Sequence, residues 1–339
     1  MEYGSRAAAS GRGRGVEGHG GDDGVTATGS WRGEAAPGGV ALALQGGGAH
    51  GAFTWGVVDR LLETGHGFDR VCGVSAGAMT GAALVQGWAK GGADGAREEM
   101  RRLWGRVVQA HALSPLRNGP MERWLWGWDL SNSLAWQSMD VAMRLFSPAQ
   151  INPLGLNPLH GVLLGFLDRR WLCHPRAPRL HVGVTCVETG DAVLFDNDGI
   201  DVDVLLASCC LPCVFPAVRI GGRAYWDGAF SGNPPLAPLL APSLPRHLVL
   251  VRGQPMRRRG VPGTPAEILN RMTEIACHGV LRAELAALPA RVGLTDYEAD
   301  DAVGHLPISS KFNGERDFLA ELFEAGRRAV SALDRLAAD

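Results

Sequence analysis

Lysine is nearly absent from this chain of 339 residues: of its 33 basic residues, only Lys90 and Lys311 are lysines. We interpret that bias as a coding preference rather than a functional signal. Net charge is also small, at -2, because 35 acidic residues balance the basic ones. A chain without excess positive charge lacks the electrostatic footprint of a nucleic-acid-binding protein. We therefore expect no nucleic acid among its partners.

Long apolar runs and a cysteine framework are also missing. The two uncharged stretches, residues 71–89 and 228–245, are interrupted by glycines and prolines, so neither predicts a membrane span. The N-terminal segment lacks the apolar core of a signal peptide. Seven cysteines, an odd number scattered through the chain, do not suggest a secreted disulfide scaffold. A reduced, cytoplasmic setting is expected.

Composition divides the chain into three parts. Residues 1–38 are rich in Gly, Ala, Ser and Arg and have almost no large apolar group except Trp31, which predicts a disordered tail. Residues 39–250 should form the catalytic domain, with a Trp-rich helical cap at about 105–175. Residues 251–339 should form a C-terminal helical extension packed on the same domain.

Hydrophobic patterning predicts an α/β fold. Residues 40–44 form an apolar strand, a Gly-rich loop follows, and a helical pattern runs from about 52 to 64. Residues 69–73 form a second strand, Ser75 occupies a tight turn, and residues 76–89 form a helix rich in small residues. Such a unit places parallel strands side by side, with both turns at one edge of the sheet. We expect a mostly parallel sheet sandwiched by helices.

Further elements are predicted along the rest of the chain, with boundaries given by turn and capping residues. They are strands at 180–187 and 192–195, a short helix at 203–210, a hairpin at 218–226, a strand at 247–251, and helices at 264–288 and 315–336.

The first candidate site is the pentapeptide Gly73-Val-Ser-Ala-Gly77, which matches the nucleophile-elbow pattern GxSxG. Ser75 would lie on a strained strand-to-helix turn, and Gly73 and Gly77 would leave space for that turn. The pattern is short, and a glycine-rich packing turn is the alternative interpretation. The preceding apolar strand and the following helix favour a nucleophile.

The second candidate is the loop Gly46-Gly-Gly-Ala-His-Gly51. One interpretation is a dinucleotide phosphate loop, which requires an acidic residue at the end of the next strand; here Asp69 stands at its start. The other is an oxyanion hole, in which the N–H groups of Gly47 and Gly48 point at one developing negative charge. One crossover separates this loop from Ser75, so the two turns should be adjacent.

The third candidate is Asp227, within Tyr225-Trp-Asp-Gly-Ala229. It ends an apolar strand, and the small residues Gly228 and Ala229 follow, so its carboxylate can approach another backbone. An Asx turn after a hairpin is the alternative. None of the ten histidines lies in a distinctive local pattern that marks a catalytic base.

Taken together, these three motifs resemble the patatin-like phospholipase family over roughly residues 40–245. Residues 207–212 and 215–216 also resemble that family's segment ahead of the aspartate. The resemblance implies a serine lipid acyl hydrolase with Ser75 as nucleophile and Asp227 as proton acceptor, without metal or cofactor. The implied oxyanion hole consists of Gly46, Gly47, Gly48, Ala49 and Gly51, and the implied aspartate motif of Asp227, Gly228 and Ala229. The family often has Arg or Lys where His50 stands, which leaves open the charge beside the loop.

Two other functions stay open. One is an α/β hydrolase with a Ser-His-Asp triad, which would make one histidine essential. The other is a non-catalytic lipid- or nucleotide-binding protein on the same scaffold. The expected partner is a lipid or acyl ester, and the tryptophans of the cap leave open a transient contact with a membrane surface. Oligomeric state, head group and acyl length are not indicated by the sequence.

Overall fold

The computed structural model describes residues 39–258 and 260–336. The tail predicted to be disordered, residues 1–38, lies outside these described residues. Within them, the strands join into one eight-stranded sheet. The strands are β1 Val40–Leu44, β2 Arg70–Gly73, β3 Arg179–Cys186, β4 Ala192–Asp196, β5 Val218–Ile220, β6 Arg223–Asp227, β7 His247–Arg252 and β8 Gly293–Glu298.

The sheet is mostly parallel. Its order is β5-β6-β3-β2-β1-β7-β8, and β4 also pairs with β3. The five strands from β3 to β8 in this order are parallel neighbours. The antiparallel pairs lie at the other end, where β4 and β6 both pair with β3, and β5 pairs with β6. The predicted α/β architecture is therefore confirmed.

Helices account for most of the remaining described chain. They are α1 Gly51–Glu63, α2 Ala76–His111, α3 Pro120–Trp126, α4 Leu134–Leu145, α5 Pro148–Ile151, α6 Pro158–Leu163, α7 Arg169–Leu172, α8 Val202–Ser208, α9 Ala237–Leu240, α10 Pro265–Ala286, α11 Asp300–Val303 and α12 Arg316–Leu336. Non-helical backbone at Gly91 and Gly92 interrupts α2. The helix predicted for residues 76–89 corresponds to the part before this break.

Helices cover both faces of the sheet. As a result, every residue of β1 is buried. Leu42 and Leu44 belong to the large core that includes side chains of α1, α2, α8 and α12. Ala41 and Ala43 point to the opposite face, where side chains of α9 and α10 complete a second core. Strands buried on both faces are continuous apolar runs rather than alternating ones, which is why residues 40–44 predict a strand of this kind.

Strands β2 and β6 pair with the same edge of β3. Residues Val184 and Thr185 pair with both β4 and β6, so those two strands lie on opposite edges of β3. By the same reasoning, Val182 pairs with both β2 and β4. It follows that β2 and β6 succeed one another along one edge, and that the residues after β2 meet the end of β6.

One strand comes from a segment predicted to be helical. Residues 251–339 contribute α10, α11 and α12, but Gly293–Glu298 forms β8 and extends the sheet parallel to β7. The description as a helical extension is therefore incomplete. The sequence does not predict this strand because Asp296 and Glu298 interrupt its apolar pattern. In the structure both carboxylates pair with Arg252 of β7.

The cap consists of five short helices, α3 to α7, between residues 120 and 172. Helices α6 and α7 lie against α2. Trp136 of α4 is 7% exposed and packs on Phe312, whereas Trp124 of α3 is 82% exposed. The tryptophans of the cap therefore divide into packing residues and surface residues.

A membrane-spanning helix would have to be long and apolar along one continuous stretch. None of the helices in residues 39–258 and 260–336 meets that requirement.

Candidate active site

Ser75 occupies a strained turn between β2 and α2. Its backbone has φ 55° and ψ -127°, and among the described non-glycine residues it alone has a positive φ. A left-handed conformation costs an ordinary side chain free energy, and such strain is concentrated at functional sites. The turn leaves Ser75 partly exposed, while the residues on both sides of it are buried.

The two glycines that flank this turn are required by close backbone approach. A Cβ atom on Gly73 would lie 2.6 Å from the carbonyl oxygen of Gly77, and one on Gly77 would lie 2.3 Å from that of Leu44. Both distances are far below van der Waals contact. The spacing of the GxSxG motif therefore has a steric cause in this fold.

Ser208 holds the backbone of the turn in place. The N–H of Ser75 donates to the Ser208 hydroxyl over 2.9 Å, and that hydroxyl donates to the carbonyl oxygen of Gly183 over 2.7 Å. Sequence reasoning gave Ser208 no role, although it lies in the segment 207–212 that carries part of the family resemblance. Its function in the site depends on α8 ending beside β3.

Asp227 ends β6 directly beside the serine turn. Gly73, at the end of β2, is opposite Val182 of β3, and Asp227 is opposite Val184. Because β2 and β6 share this edge, Ser75 and Asp227 are brought together. The Asp227 carboxylate accepts a hydrogen bond from the N–H of Ala229 over 2.9 Å, and it also interacts with the Ser75 hydroxyl.

The glycine after Asp227 is also sterically required. A Cβ atom on Gly228 would lie 2.2 Å from the carbonyl oxygen of Gly183. The chain therefore passes close over β3 at this point. The Thr185 hydroxyl supports the same corner by donating to the Asp227 carbonyl oxygen over 2.8 Å.

Burial changes the acidity of Asp227. The side chain is 2% exposed, and this desolvation raises its pKa from 3.8 to about 6. The Ala229 N–H, the Ser75 hydroxyl and the Lys311 ammonium group each lower the pKa and so offset part of the increase. A carboxyl group in this state is protonated in mild acid and ionised at neutral pH.

The Gly-rich loop lies against the serine turn. A Cβ atom on Gly46 would lie 2.8 Å from the Ser75 Cβ, and one on Gly51 would lie 2.7 Å from the Ala76 Cβ. The Gly46 N–H donates to Asn233 Oδ1 over 2.9 Å, and the Gly51 N–H donates to the carbonyl oxygens of Gly48 and Ala49 in the preceding 3-10 turn. These two glycines therefore frame the loop.

The middle of the loop packs on C-terminal residues. Gly47 lies over the carbonyl oxygen of Gly253, to which a Cβ would come within 3.1 Å. Gly48 has φ 58°, and a Cβ there would be 2.5 Å from the carbonyl oxygen of Lys311. Ala49 is buried in the 3-10 turn Gly48–His50 that precedes α1. Buried Asn233 is a further residue that no sequence signal indicated.

His50 differs from the arginine or lysine that the resemblance leads one to expect. It is buried, pairs with the Ser310 hydroxyl over 2.8 Å and lies edge-on against Phe318. Burial and the nearby Lys311 lower its pKa well below 6.5. The imidazole is therefore uncharged at neutral pH.

Metal ligands are not grouped in this part of the chain. Within residues 39–258 and 260–336, no cluster of three or more His, Cys, Asp or Glu side chains could hold a metal ion. Cys209 and Cys210 are buried next to Asp227, and desolvation raises the pKa of both thiols. These thiols are therefore protonated rather than poised as ligands.

Comparison with known proteins gives one family. The family model described as patatin-like phospholipase matches residues 42–240, which include the Gly-rich loop from its first residue to its last, the serine turn and Asp227. Among the curated proteins, no sequence matches significantly.

Comparison with solved structures finds similarity to VipD from Legionella pneumophila and to the ExoU-SpcU complex from the type III secretion system of Pseudomonas aeruginosa. The VipD chain is 15% identical with a TM-score of 0.40, and the alignment covers 88% of this chain and 67% of VipD. The ExoU-SpcU match is 17% identical with a TM-score of 0.35, and it covers 88% of this chain and 52% of the other. This chain thus spans about two thirds of VipD and about half of the second chain.

Proposed function

Because the chain belongs to the patatin-like phospholipase family, a family of lipid hydrolases, we propose that it cleaves carboxylic esters of lipids with a Ser75–Asp227 dyad. The observation that carries the proposal is the meeting of these two side chains. A serine with positive φ stands at the end of β2, and a buried carboxylate beside it interacts with its hydroxyl. In this proposal the carboxylate itself activates the serine, without an imidazole between them.

In the proposed mechanism, ionised Asp227 accepts the proton of the Ser75 hydroxyl while Oγ attacks the ester carbonyl carbon. The N–H groups of Gly47 and Gly48 stabilise the oxyanion of the tetrahedral intermediate. One donor of this kind typically contributes about 3 kcal/mol to the transition state. Collapse breaks the ester bond, and protonated Asp227 returns its proton to the leaving alcohol. Water, activated by Asp227, then releases the fatty acid from Ser75.

Two features compensate for the weakness of a carboxylate as a base toward serine. The N-terminus of α2 begins at Ala76, directly after the nucleophile, and its partial positive charge favours negative charge on Oγ. Burial raises the pKa of Asp227 to about 6, which brings its basicity closer to that of a histidine.

The partner that we propose is a lipid or acyl ester at a membrane surface, contacted transiently. The cap supports this proposal because many of its large apolar side chains face solvent. Exposed apolar residues of the cap include Met121, Trp124, Leu125, Trp126, Leu134, Leu145, Phe146, Leu154 and Leu156. Exposed apolar surface of this extent marks an interaction site, and tryptophan favours the membrane interface.

A cytoplasmic location is part of the proposal. All seven cysteines lie among the described residues, and all are unpaired. Free thiols of this number are typical of proteins in a reducing compartment.

The experiment that tests the proposed function is labelling with a fluorophosphonate probe, followed by peptide mapping and assay of ester hydrolysis. We expect one labelled site, Ser75, and loss of both labelling and turnover in Ser75→Ala. The matched control is Ser243→Ala, which removes an exposed serine hydroxyl from the loop before β7. Labelling that persists in Ser75→Ala would refute the assignment of the nucleophile.

The same assay separates the alternatives. A Ser-His-Asp hydrolase would lose activity on replacement of a single histidine and would retain it in Asp227→Asn. A non-catalytic binding protein would retain lipid or nucleotide ligands, without labelling and without turnover.

A further inference from the structure

A charged cluster lies behind the Gly-rich loop and outside the part of the chain that matches the family. It consists of Lys311, Gln254, Arg258 and Glu274, and we name it the loop cluster. The Lys311 ammonium group is 3.3 Å from Gln254 Oε1 and 3.9 Å from Glu274 Oε1. Arg258 donates to both carboxylate oxygens of Glu274. Only 16% of the Lys311 side chain is exposed, so this cation has lost most of its water.

Lys311 contacts the Gly-rich loop through two routes. Its carbonyl oxygen occupies the space that a side chain on Gly48 would fill. Its ammonium group donates to Gln254, and Gln254 Nε2 in turn donates to the carbonyl oxygen of Gly46 over 2.8 Å. The Gln254 N–H also donates to Gln45 Oε1 over 2.9 Å. Lys311 and Gln254 together therefore brace the backbone of the loop.

Lys311 also acts on the proposed base. Its positive charge is a cause that lowers the pKa of Asp227, against the larger effect of burial. Burial lowers the pKa of Lys311, and Asp227 is among the anions that offset part of this effect. His50, which lies in the Gly-rich loop, cannot supply this positive charge, because its imidazole is uncharged at neutral pH.

The charged and titratable groups around this pair come from several elements. Facing Asp227 are the Ser75 hydroxyl, the Ala229 N–H, Lys311 and the thiols of Cys209, Cys210 and Cys277. Facing Lys311 are Asp227, Glu274, Cys277, Arg258, His50 and His278. Burial lowers the pKa of His278 to about 4 and raises that of Cys277 to about 11, so neither is charged near pH 6. Arg258 forms an ion pair with Glu274.

We propose that Lys311 is a positioning residue of this hydrolase, whose buried ammonium group supplies positive charge for Asp227 and, through Gln254, holds the Gly-rich loop against Ser75. This inference rests on the proposed function. It assigns a role to a residue that lies outside the sequence motifs, and it connects the C-terminal segment to the active site.

The test is the pH dependence of kcat/KM in charge variants of Lys311. Removing the cation raises the pKa of Asp227, so a larger fraction of the base is protonated in mild acid. We expect the acidic limb to move upward by at least about half a pH unit in Lys311→Gln and Lys311→Met. At pH 6 this corresponds to a loss of roughly two- to five-fold, and the loss from this cause should vanish at pH 8.5. Gln keeps a donor for Gln254, whereas Met removes it.

Two controls isolate the charge. Lys311→Arg keeps the cation and should restore the acidic limb of the wild type. Lys90→Met removes the other lysine of the chain, which pairs with Glu99 over 2.7 Å on α2, and should leave the limb in place. The proposal is overturned if the limb of Lys311→Gln superimposes on that of the wild type. It is also overturned if Lys311→Arg moves the limb as far as Lys311→Met does.

A second measurement needs no turnover. The Asp227 carboxyl can be titrated by NMR after 13C labelling of aspartate, with its signal assigned by its disappearance in Asp227→Asn. The titration midpoint should rise in Lys311→Gln and return in Lys311→Arg. If the wild type hydrolyses no ester, the proposed function fails, and this titration still decides the effect of Lys311. An unchanged midpoint alongside normal wild-type turnover would refute the role of Lys311 alone.

Discussion

Replacing Asp227 with asparagine should stabilise the protein at neutral pH while removing its activity. Asp227 is almost completely buried, and burial of the ionised carboxylate is the cause that raises its pKa from 3.8 to about 6. Asparagine has the same shape, and its side-chain oxygen can still accept the N–H of Ala229. It carries no charge, so the desolvation cost disappears.

The sign of the pH dependence follows from proton binding. Between pH 4 and 6 the folded state retains a proton on Asp227 that the unfolded state has released. The free energy of unfolding of the wild type therefore falls as pH rises through this range, and the deficit is complete above pH 6. A difference of about 2 pH units corresponds to about 3 kcal/mol. Asp227→Asn avoids this deficit and should be more stable by about 2–3 kcal/mol at pH 7.5.

Urea unfolding followed by tryptophan fluorescence measures this difference at pH 7.5 and at pH 4. The gain of Asp227→Asn should be present at pH 7.5 and nearly absent at pH 4. Asp94→Asn, in which the replaced side chain is 97% exposed, is the matched control and should change stability little at either pH. Ester turnover of Asp227→Asn should fall by about two to four orders of magnitude. An Asn variant that is no more stable at pH 7.5, or equally stabilised at both pH values, would contradict the reasoning.

Three further predictions concern the turn, the aspartate corner and the cap. Ser75→Gly should be about 1 kcal/mol more stable than Ser75→Ala in urea unfolding, because only glycine adopts φ 55° without strain; equal stabilities would argue against strain. Gly228→Ala should lower stability by several kcal/mol and abolish ester turnover, because its Cβ would lie 2.2 Å from a β3 carbonyl oxygen. Gly279→Ala, where a Cβ meets nothing within 4 Å, is the control and should be neutral or slightly stabilising. Trp124→Ala should reduce hydrolysis of long-chain esters in vesicles more than that of short soluble esters, whereas Trp136→Ala should lower stability by about 3–5 kcal/mol; equal losses on both esters in Trp124→Ala would indicate ordinary packing.

The sequence predicted the centre of the sheet because local signals there are consistent with the fold. Residues 40–44 are apolar throughout and are buried on both faces, and the helices after the Gly-rich loop and after Ser75 begin where the small residues indicate. The capping box at Thr264 likewise begins α10, with the side-chain oxygen accepting the N–H of Glu267. Such signals involve residues that are neighbours in the chain.

The strand β8 shows where this kind of signal ends. Its residues Asp296 and Glu298 are compatible with the sheet only because Arg252 of β7 pairs with both of them. Charge compensation between residues 44 and 46 positions apart leaves no local pattern, so a strand with two acidic residues resembles a loop in the sequence.

For the candidate site, the sequence by itself determined the motif residues and the chemistry that they permit. The glycines around Ser75 and after Asp227 are needed because backbone atoms approach too closely for a Cβ, and that requirement is visible as a motif. The tertiary structure decided what surrounds them. Registers on β3 bring Ser75 and Asp227 together, Ser208 holds the backbone of the serine turn although it is distant in sequence, and the charge of the equally distant Lys311 lowers the pKa of Asp227. Those contacts join separate elements through single hydrogen bonds and through burial. Such interactions between distant residues produce no periodic or local pattern in the sequence.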